Sequence, residues 1–197
     1  MVEGYPVVLC LRGRRCLLVG GGKVARRKVE RLLAAGAAVT VIAPSLSPDL
    51  QVLWERGEIT WERRSYREGD IQGFFLVFAA SSDPLVNRKV GEEAQSRGIL
   101  CSVVDCPTVS SFLTPAVVEW EGLVVALSSG GKSPYLVGLL RRWLEHHLPK
   151  GLGELFRVLE RKRRELKGSG VPLEEKKMLY RELINRWEEF LEEGGEP

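Results

Sequence analysis

Residues 16–25, Cys16-Leu17-Leu18-Val19-Gly20-Gly21-Gly22-Lys23-Val24-Ala25, decide the fold. A short apolar run ends in three glycines and gives way to a segment with helical periodicity. Gly20, Gly22 and Ala25 fit the G-x-G-x-x-G/A spacing of a dinucleotide-binding turn. The first glycine permits a tight strand-to-helix turn. The second lets the backbone approach a pyrophosphate without a Cβ in the way. The small third residue lets the helix pack closely on the sheet, and N–H groups at the helix start then face the phosphates. Gly21, Lys23 and Val24 complete the candidate loop.

Outward from this loop, the spacing predicts a helix over Val24–Ala35. Ala25, Val29, Leu32 and Leu33 share one face, and Arg26, Arg27, Glu30 and Arg31 fall largely on the other. Gly36 ends it as the residue just past the cap. Strands are predicted over Ala38–Ala43, closed by Pro44, weakly over Ile59–Trp61, and strongly over Phe74–Ala80. Asp83 suits an N-cap and Pro84 a first helical position, for a helix that runs to Arg97 and stops at Gly98. Ile99–Val104 is the next strand and ends at Asp105. Such alternation implies parallel strands joined by crossover helices.

After Asp105 the texture changes. Short strands are predicted at Ser111–Thr114 and Leu123–Leu127. A helix opens at Ser133-Pro134, carries Leu136, Leu139, Leu140, Trp143 and Leu144 on one face, and closes at Pro149. Two charged helical segments follow, with apolar stripes Leu152, Leu155, Phe156, Leu159 and Leu179, Leu183, Trp187, Phe190. The loop Gly168-Ser169-Gly170 with Pro172 separates them. The tail from Glu192 to Pro197 reads as frayed.

A net charge of +3 is too small to imply nucleic-acid binding. No apolar run approaches the ~18 residues of a membrane span. The apolar segment Tyr5–Leu11 precedes Arg12, Arg14 and Arg15, the reverse of a signal peptide's order, so a cytoplasmic protein is expected. Cys10, Cys16, Cys101 and Cys106 form no C-x-x-C pair and read as buried, reduced thiols rather than a zinc site. His146 and His147 are neighbours on a helix and diverge by about 100°, so they do not face one metal together. No metal ligands are expected.

Two further features carry chemistry. Ser128-Ser129-Gly130-Gly131-Lys132-Ser133-Pro134 is a second strand-to-helix loop, whose hydroxyls, amides and Lys132 suit an anion. It is not a Walker A loop, because Ala126 stands where that motif's first glycine belongs. Asp105 closes a strand of a parallel sheet, where ligands gather. The second strand ends without the acid that commonly holds the ribose hydroxyls, so the residues themselves leave NAD and NADP open. Arg26 and Arg27 lie on the first helix, within conceivable reach of a 2′-phosphate.

Four segments together resemble the precorrin-2 dehydrogenase family, the N-terminal module of siroheme synthases. They are residues 18–28; Ala79-Ala80-Ser81-Ser82-Asp83 with Asn87; Val103-Val104-Asp105 with Ser111-Phe112 and Pro115; and Val125 to Pro134. The resemblance covers roughly residues 1–150. It implies oxidation of precorrin-2 to sirohydrochlorin with NAD+ as acceptor, and in many members insertion of Fe2+ by the same site. It places the catalytic aspartate at Asp105 and cofactor contacts at Lys23, Val24, Pro44 and Ser45. With Gly20, Gly21, Gly22 and Ala80 these make up the expected cofactor site, and Ser128, Ser129, Gly130, Gly131, Lys132 and Ser133 make up the expected substrate site. A serine phosphorylated in one branch falls on Ser129. Siroheme synthases carry a methyltransferase that this sequence does not include, so the stand-alone form is expected.

The expected fold class is therefore α/β. A Rossmann-type parallel sheet (residues 1–113) is followed by a small α+β dimerisation and substrate region (114–150) and a helical region (151–197). The apolar stripes call for a homodimer with Leu123–Leu127 near the interface. Precorrin-2 bears eight carboxylates, so Lys132, a helix start and Arg141 or Arg142 suit it electrostatically. Two rival functions share the glycine loop: an NAD(H)-sensing regulatory domain, and a dehydrogenase of another polyanionic small molecule.

Overall fold

The computed structural model describes residues 4–120, 122–149 and 151–192, without the side chains of residues 188 and 190–192. The chain folds as two units, Met1–Thr114 and Pro115–Pro197.

The first unit is a five-stranded parallel sheet: β1 (Arg15–Val19), β2 (Ala38–Ile42), β3 (Thr60–Glu62), β4 (Leu76–Ala79) and β5 (Leu100–Val103). Strand order is β3-β2-β1-β4-β5, and every pairing is parallel. The chain winds outward in one direction from β1 and in the other from β4. The crevice between their C-terminal ends is thus a topological switch point, where open α/β sheets bind ligands.

Alternation along β1 sends its side chains to two separate cores. Cys16 and Leu18 pack with Ala25, Val29 and Leu32 of α1 (Lys23–Ala34) and Leu50 of α2 (Pro48–Glu55). Leu17 and Val19 pack on the other face with Val90 and Ala94 of α3 (Pro84–Arg97) and with Ile71. Leu17 and Leu18 have no exposed surface. Burying each contributes roughly 1.5–3 kcal/mol before the cost of ordering is counted. Asp83 caps α3, its carboxylate accepting from the Leu85 N–H at 2.8 Å, worth about 1 kcal/mol. Past the Ala35 cap of α1, Gly36 takes a left-handed φ of +75°.

One helix was not expected, and two expectations are corrected by the structure. Helix α2 has no counterpart in the sequence reading; it buries Leu50 alone and leaves Val52 and Trp54 exposed, so it lacks a clear apolar stripe. Ser111–Thr114 is not a strand. Ser111 instead donates its N–H to Cys101 O at 2.8 Å while its hydroxyl accepts from Cys101 N, and Phe112 meets Phe78 edge-on at 5.5 Å. The four thiols are free but not uniformly buried: Cys16 and Cys101 are inside, Cys106 is half-buried and Cys10 is exposed. Burial pushes the Cys101 thiol up to about 12 and Cys16 up to about 11.

The second unit opens with an antiparallel hairpin, β6 (Ala116–Trp120) and β7 (Leu123–Leu127), in the register Ala116↔Leu127 to Trp120↔Leu123. Strand β6 was not among the strands expected from local pattern. Helix α4 (Pro134–His147) lies on this hairpin, and α5 (Leu152–Leu166) pairs with α6 (Leu173–Glu192). Phe190, placed on the second apolar stripe, and residues 193–197 of the expected frayed tail lie outside the described side chains and residues. Among the described residues no helix is long and apolar enough to cross a membrane.

Candidate dinucleotide and substrate sites

The three glycines do three different jobs. Gly20 turns the chain off β1 with φ +124°, and its N–H donates to Ile42 O at 2.9 Å. A Cβ there would run into the Ala80 carbonyl and the Ser81 amide. At Gly21 a Cβ would strike the Ser45 carbonyl and press on Ala43 Cβ at 3.1 Å. The Gly21 carbonyl accepts from Ser47 N–H at 2.7 Å. Gly22 is unlike both: a Cβ there meets nothing within 4 Å. The first two glycines are demanded by the protein's own backbone, and the third faces open space.

Gly22 is also the N-cap of α1, in extended conformation and without a side-chain cap. The first helical hydrogen bond is Arg26 N–H to Gly22 O, 3.0 Å, so the amides of the preceding turn point out of the helix start. No acidic residue sits in that turn. Open space, unpaired amides and the positive end of a helix dipole together suit a pyrophosphate. An NAD(P) cofactor therefore fits these residues.

The other cofactor candidates line the same sheet edge. Ala80 follows β4 and donates to Val19 O at 2.8 Å, which sets it beside the glycine turn. Pro44 and Ser45 follow β2 and are exposed. The Trp61 Nε1–H, donating to Ala43 O at 2.9 Å, fixes the strand end that carries them. Lys23 and Val24 form the first turn of α1. Arg26, a candidate for a 2′-phosphate, is already paired with Glu30 at 2.8 Å and Asp49 at 2.6 Å, whereas Arg27 has no ion pair among the described residues.

Asp105 lies just past β5 on this edge. It is exposed, and among the described non-glycine residues it alone has a positive φ, +58°. That backbone costs of order 1 kcal/mol or more for a residue with a Cβ, though Asp tolerates it better than most. Ser110 holds the turn: its hydroxyl accepts from Val103 N–H at 2.9 Å and donates to Cys106 O at 2.9 Å. Among the described residues the Asp105 carboxylate makes no hydrogen bond and no ion pair, so it is available to a ligand.

Residues 128–133 form a closed loop in the second unit, between β7 and α4. Ser128 Oγ accepts from Gly130 N–H at 3.1 Å, Ser129 Oγ from Ser133 N–H at 2.9 Å, and Ser133 Oγ from Leu136 N–H at 3.4 Å. Gly130 and Gly131 are both left-handed. The hydroxyls act as acceptors inside the loop, which leaves each its own O–H to donate to an anion. Lys132 is exposed. Arg141 is paired with Glu145 at 2.9 Å. His146 bonds Arg142 O through Nδ1 and His147 stacks on Trp143. Among the described residues no group of three or more His, Cys, Asp or Glu side chains could hold a metal.

Two residues went without a role in the sequence reading. Asn87, quoted only within a motif, is buried and bonded twice to the Ser81 backbone. Lys28 donates to Thr114 Oγ1 at 2.9 Å and lies over the Phe78 ring. Burial, with Arg31 and Arg27 nearby, lowers its ammonium to about 8.

Comparison with known proteins agrees with this geometry. A family model described as NAD(P)-binding matches residues 7–116. Siroheme synthase of Chromobacterium violaceum is 46% identical over 79% of this chain, and those of Nitrosococcus oceani and Citrobacter koseri are 39% and 40% identical over 93%. The chain spans only 33% to 40% of the length of those relatives. Among solved structures, SirC, a precorrin-2 dehydrogenase, superposes with TM-score 0.79 at 28% identity, over 92% of this chain and 89% of that one. The chain belongs to this NAD(P)-binding family.

Proposed function

We propose that this chain oxidises precorrin-2 to sirohydrochlorin, with NAD+ as the acceptor, in siroheme biosynthesis. The observation that carries the reading is the pairing on one sheet edge of an open cradle at Gly22 with an unpartnered carboxylate at Asp105. The likeness to SirC supports the substrate. Gly20, Gly21, Gly22, Lys23, Val24, Pro44, Ser45 and Ala80 hold the dinucleotide. When bound, its nicotinamide supplies the hydride acceptor. Asp105 takes the proton that leaves with the hydride, so the macrocycle loses two electrons and two hydrogens. Ser128 to Ser133, with Lys132, hold substrate carboxylates.

The working unit in this proposal is a homodimer in the cytoplasm. Leu136, Leu139, Leu140 and Trp143 on α4 are each 43% to 54% exposed, and Val124 on β7 is 58% exposed. An apolar face of that kind beside an open strand edge suits a second copy of the chain. Free thiols and an NAD+ supply suit a reducing compartment. We extend the proposal to iron as a substrate: the macrocycle nitrogens provide the ligands for Fe2+, and the two protons they release pass one after the other through Asp105 to solvent.

The test is anaerobic incubation of the purified chain with precorrin-2 and NAD+. Formation of sirohydrochlorin with matching NADH is the expected result, and no turnover with demonstrated NAD+ binding would favour a sensing domain. Addition of Fe2+ should then speed siroheme formation above the spontaneous rate, and an unchanged rate removes the iron step.

A further inference from the structure

Among the described residues, Asn87 is the single polar residue buried as a whole, 6% exposed. A buried amide is tolerated when its donor and acceptor are both satisfied. Asn87 meets this condition with one residue. Its Oδ1 accepts from Ser81 N–H at 2.8 Å and its Nδ2 donates to Ser81 O at 2.9 Å. The two bonds clamp both backbone polar groups of Ser81, in the manner of a base pair.

Ser81 lies where the sheet's own ladder has ended. The last rung between β4 and β1 is Ala80 N–H to Val19 O. Beyond it, the Ala80–Ser81 peptide forms the wall behind the glycine turn. A Cβ on Gly20 would come within 2.8 Å of Ser81 N and 2.6 Å of the Ala80 carbonyl carbon, so the two backbones touch with no slack. Any shift of Ser81 is therefore transmitted to Gly20, and through Gly20 to the amides at the start of α1.

We infer that Asn87 is a positioning residue of the dinucleotide site: by clamping Ser81 it sets the wall against which Gly20 turns, and so the place of the phosphate-facing amides. The inference rests on the dinucleotide reading of the Gly22 cradle. It concerns geometry rather than contact, since both polar atoms of the Asn87 amide are turned onto Ser81.

Asn87→Asp separates positioning from bulk packing because it keeps the volume and adds a titratable switch. As a neutral acid the new carboxyl can still accept from Ser81 N–H and donate to Ser81 O. As a carboxylate it can accept, but its second oxygen opposes the Ser81 carbonyl. Burial raises the pKa of such a group, which brings the switch into an accessible range. NAD+ affinity of the full-length chain is measured calorimetrically from pH 5.5 to pH 8. Wild type should vary little. Asn87→Asp should bind about tenfold more weakly at pH 8, the scale of one lost buried hydrogen bond, and return towards wild type at pH 5.5. Wild-type affinity at pH 8, or an equal loss at both pH values, overturns the inference. Should the variant not fold at pH 8, Asn87→Ser, too short to span both Ser81 groups, carries the test: folded protein must show the same loss, and normal affinity overturns the inference. A wild-type chain that binds no NAD+ overturns the cradle reading itself.

Discussion

Ser110 Oγ lies 2.9 Å from the Val103 amide and accepts its hydrogen, closing the turn that carries Asp105. The same hydroxyl donates to Cys106 O on the far side of that turn. One side chain thus holds both ends of a backbone whose middle residue is left-handed. Ser110→Ala should leave NAD+ affinity unchanged and lower turnover about tenfold, as expected for one lost bond worth about 1.4 kcal/mol. Ser110→Thr should restore most of the rate. Steady-state kinetics check this, and an alanine variant with normal turnover would show that the Asp105 turn holds itself.

The glycine loop makes a prediction with an internal control. Gly20→Ala and Gly21→Ala force a Cβ onto backbone and should lower the melting temperature by several degrees, in line with a cost of a few kcal/mol for strain at a tight site. Gly22→Ala should melt like wild type, because its Cβ meets nothing. Gly22→Asp should fold equally well yet bind NAD+ severely more weakly, since a negative charge then meets the pyrophosphate. Normal affinity in folded Gly22→Asp would falsify the cradle.

The parallel sheet was legible because its signals are local and agree with one another. Around Val19–Gly22 the periodicity switches from strand to helix across a glycine turn, and Asp83-Pro84 and Gly98 mark both ends of α3. Helix α2 escaped because Ser47-Pro48-Asp49 is a proper start signal with no apolar stripe behind it. The strand expected at Ser111–Thr114 failed because Ser110 and Ser111 use their hydroxyls on β5 rather than joining a ladder. Which strand pairs with Leu123–Leu127 is a matter of register that local pattern does not encode. At the site, Asp105 was readable as the acid that ends a strand. Its left-handed backbone and free carboxylate were not. Asn87 was hidden for a simple reason: a polar residue on a helix reads as exposed until its partners are seen.

Lys28 should give the fold a signature in alkali. Its ammonium is held at about 8 by burial, with Arg31 and Arg27 adding to the effect, whereas an unfolded lysine titrates at about 10.4. Below pH 8 the group is charged in both states and the fold bears the full cost of burying that charge. Between the two values the unfolded chain binds more protons, so stability rises with pH across that window. Lys28→Met removes the titration. The melting temperature of wild type minus that of the variant should therefore increase from pH 7 to pH 10. A difference independent of pH would mean that Lys28 is as well solvated as a surface lysine.

Asp105 carries the sharpest prediction. It sits past the C-terminal end of β5, on the edge where the glycine turn opens, and its carboxylate has no partner among the described residues. In the proposed function this free acid meets the substrate. As a carboxylate it can accept a proton from the macrocycle or stabilise positive charge as hydride departs. Asparagine keeps the size and tolerates the left-handed backbone, so Asp105→Asn should fold and melt like wild type. It loses the charge and the basicity. NAD+ affinity should change little, because the cradle is built from Gly20 to Val24. Turnover of precorrin-2 should fall at least about 100-fold, the lower end of what a lost general base costs. Asp105→Ala should lose as much rate, since the function at stake is the carboxylate's and not the hydrogen bond's. Rapid turnover by either variant, measured as NADH formed per precorrin-2 consumed, would reduce Asp105 to a turn residue and move the search for the proton acceptor to the substrate's own carboxylates.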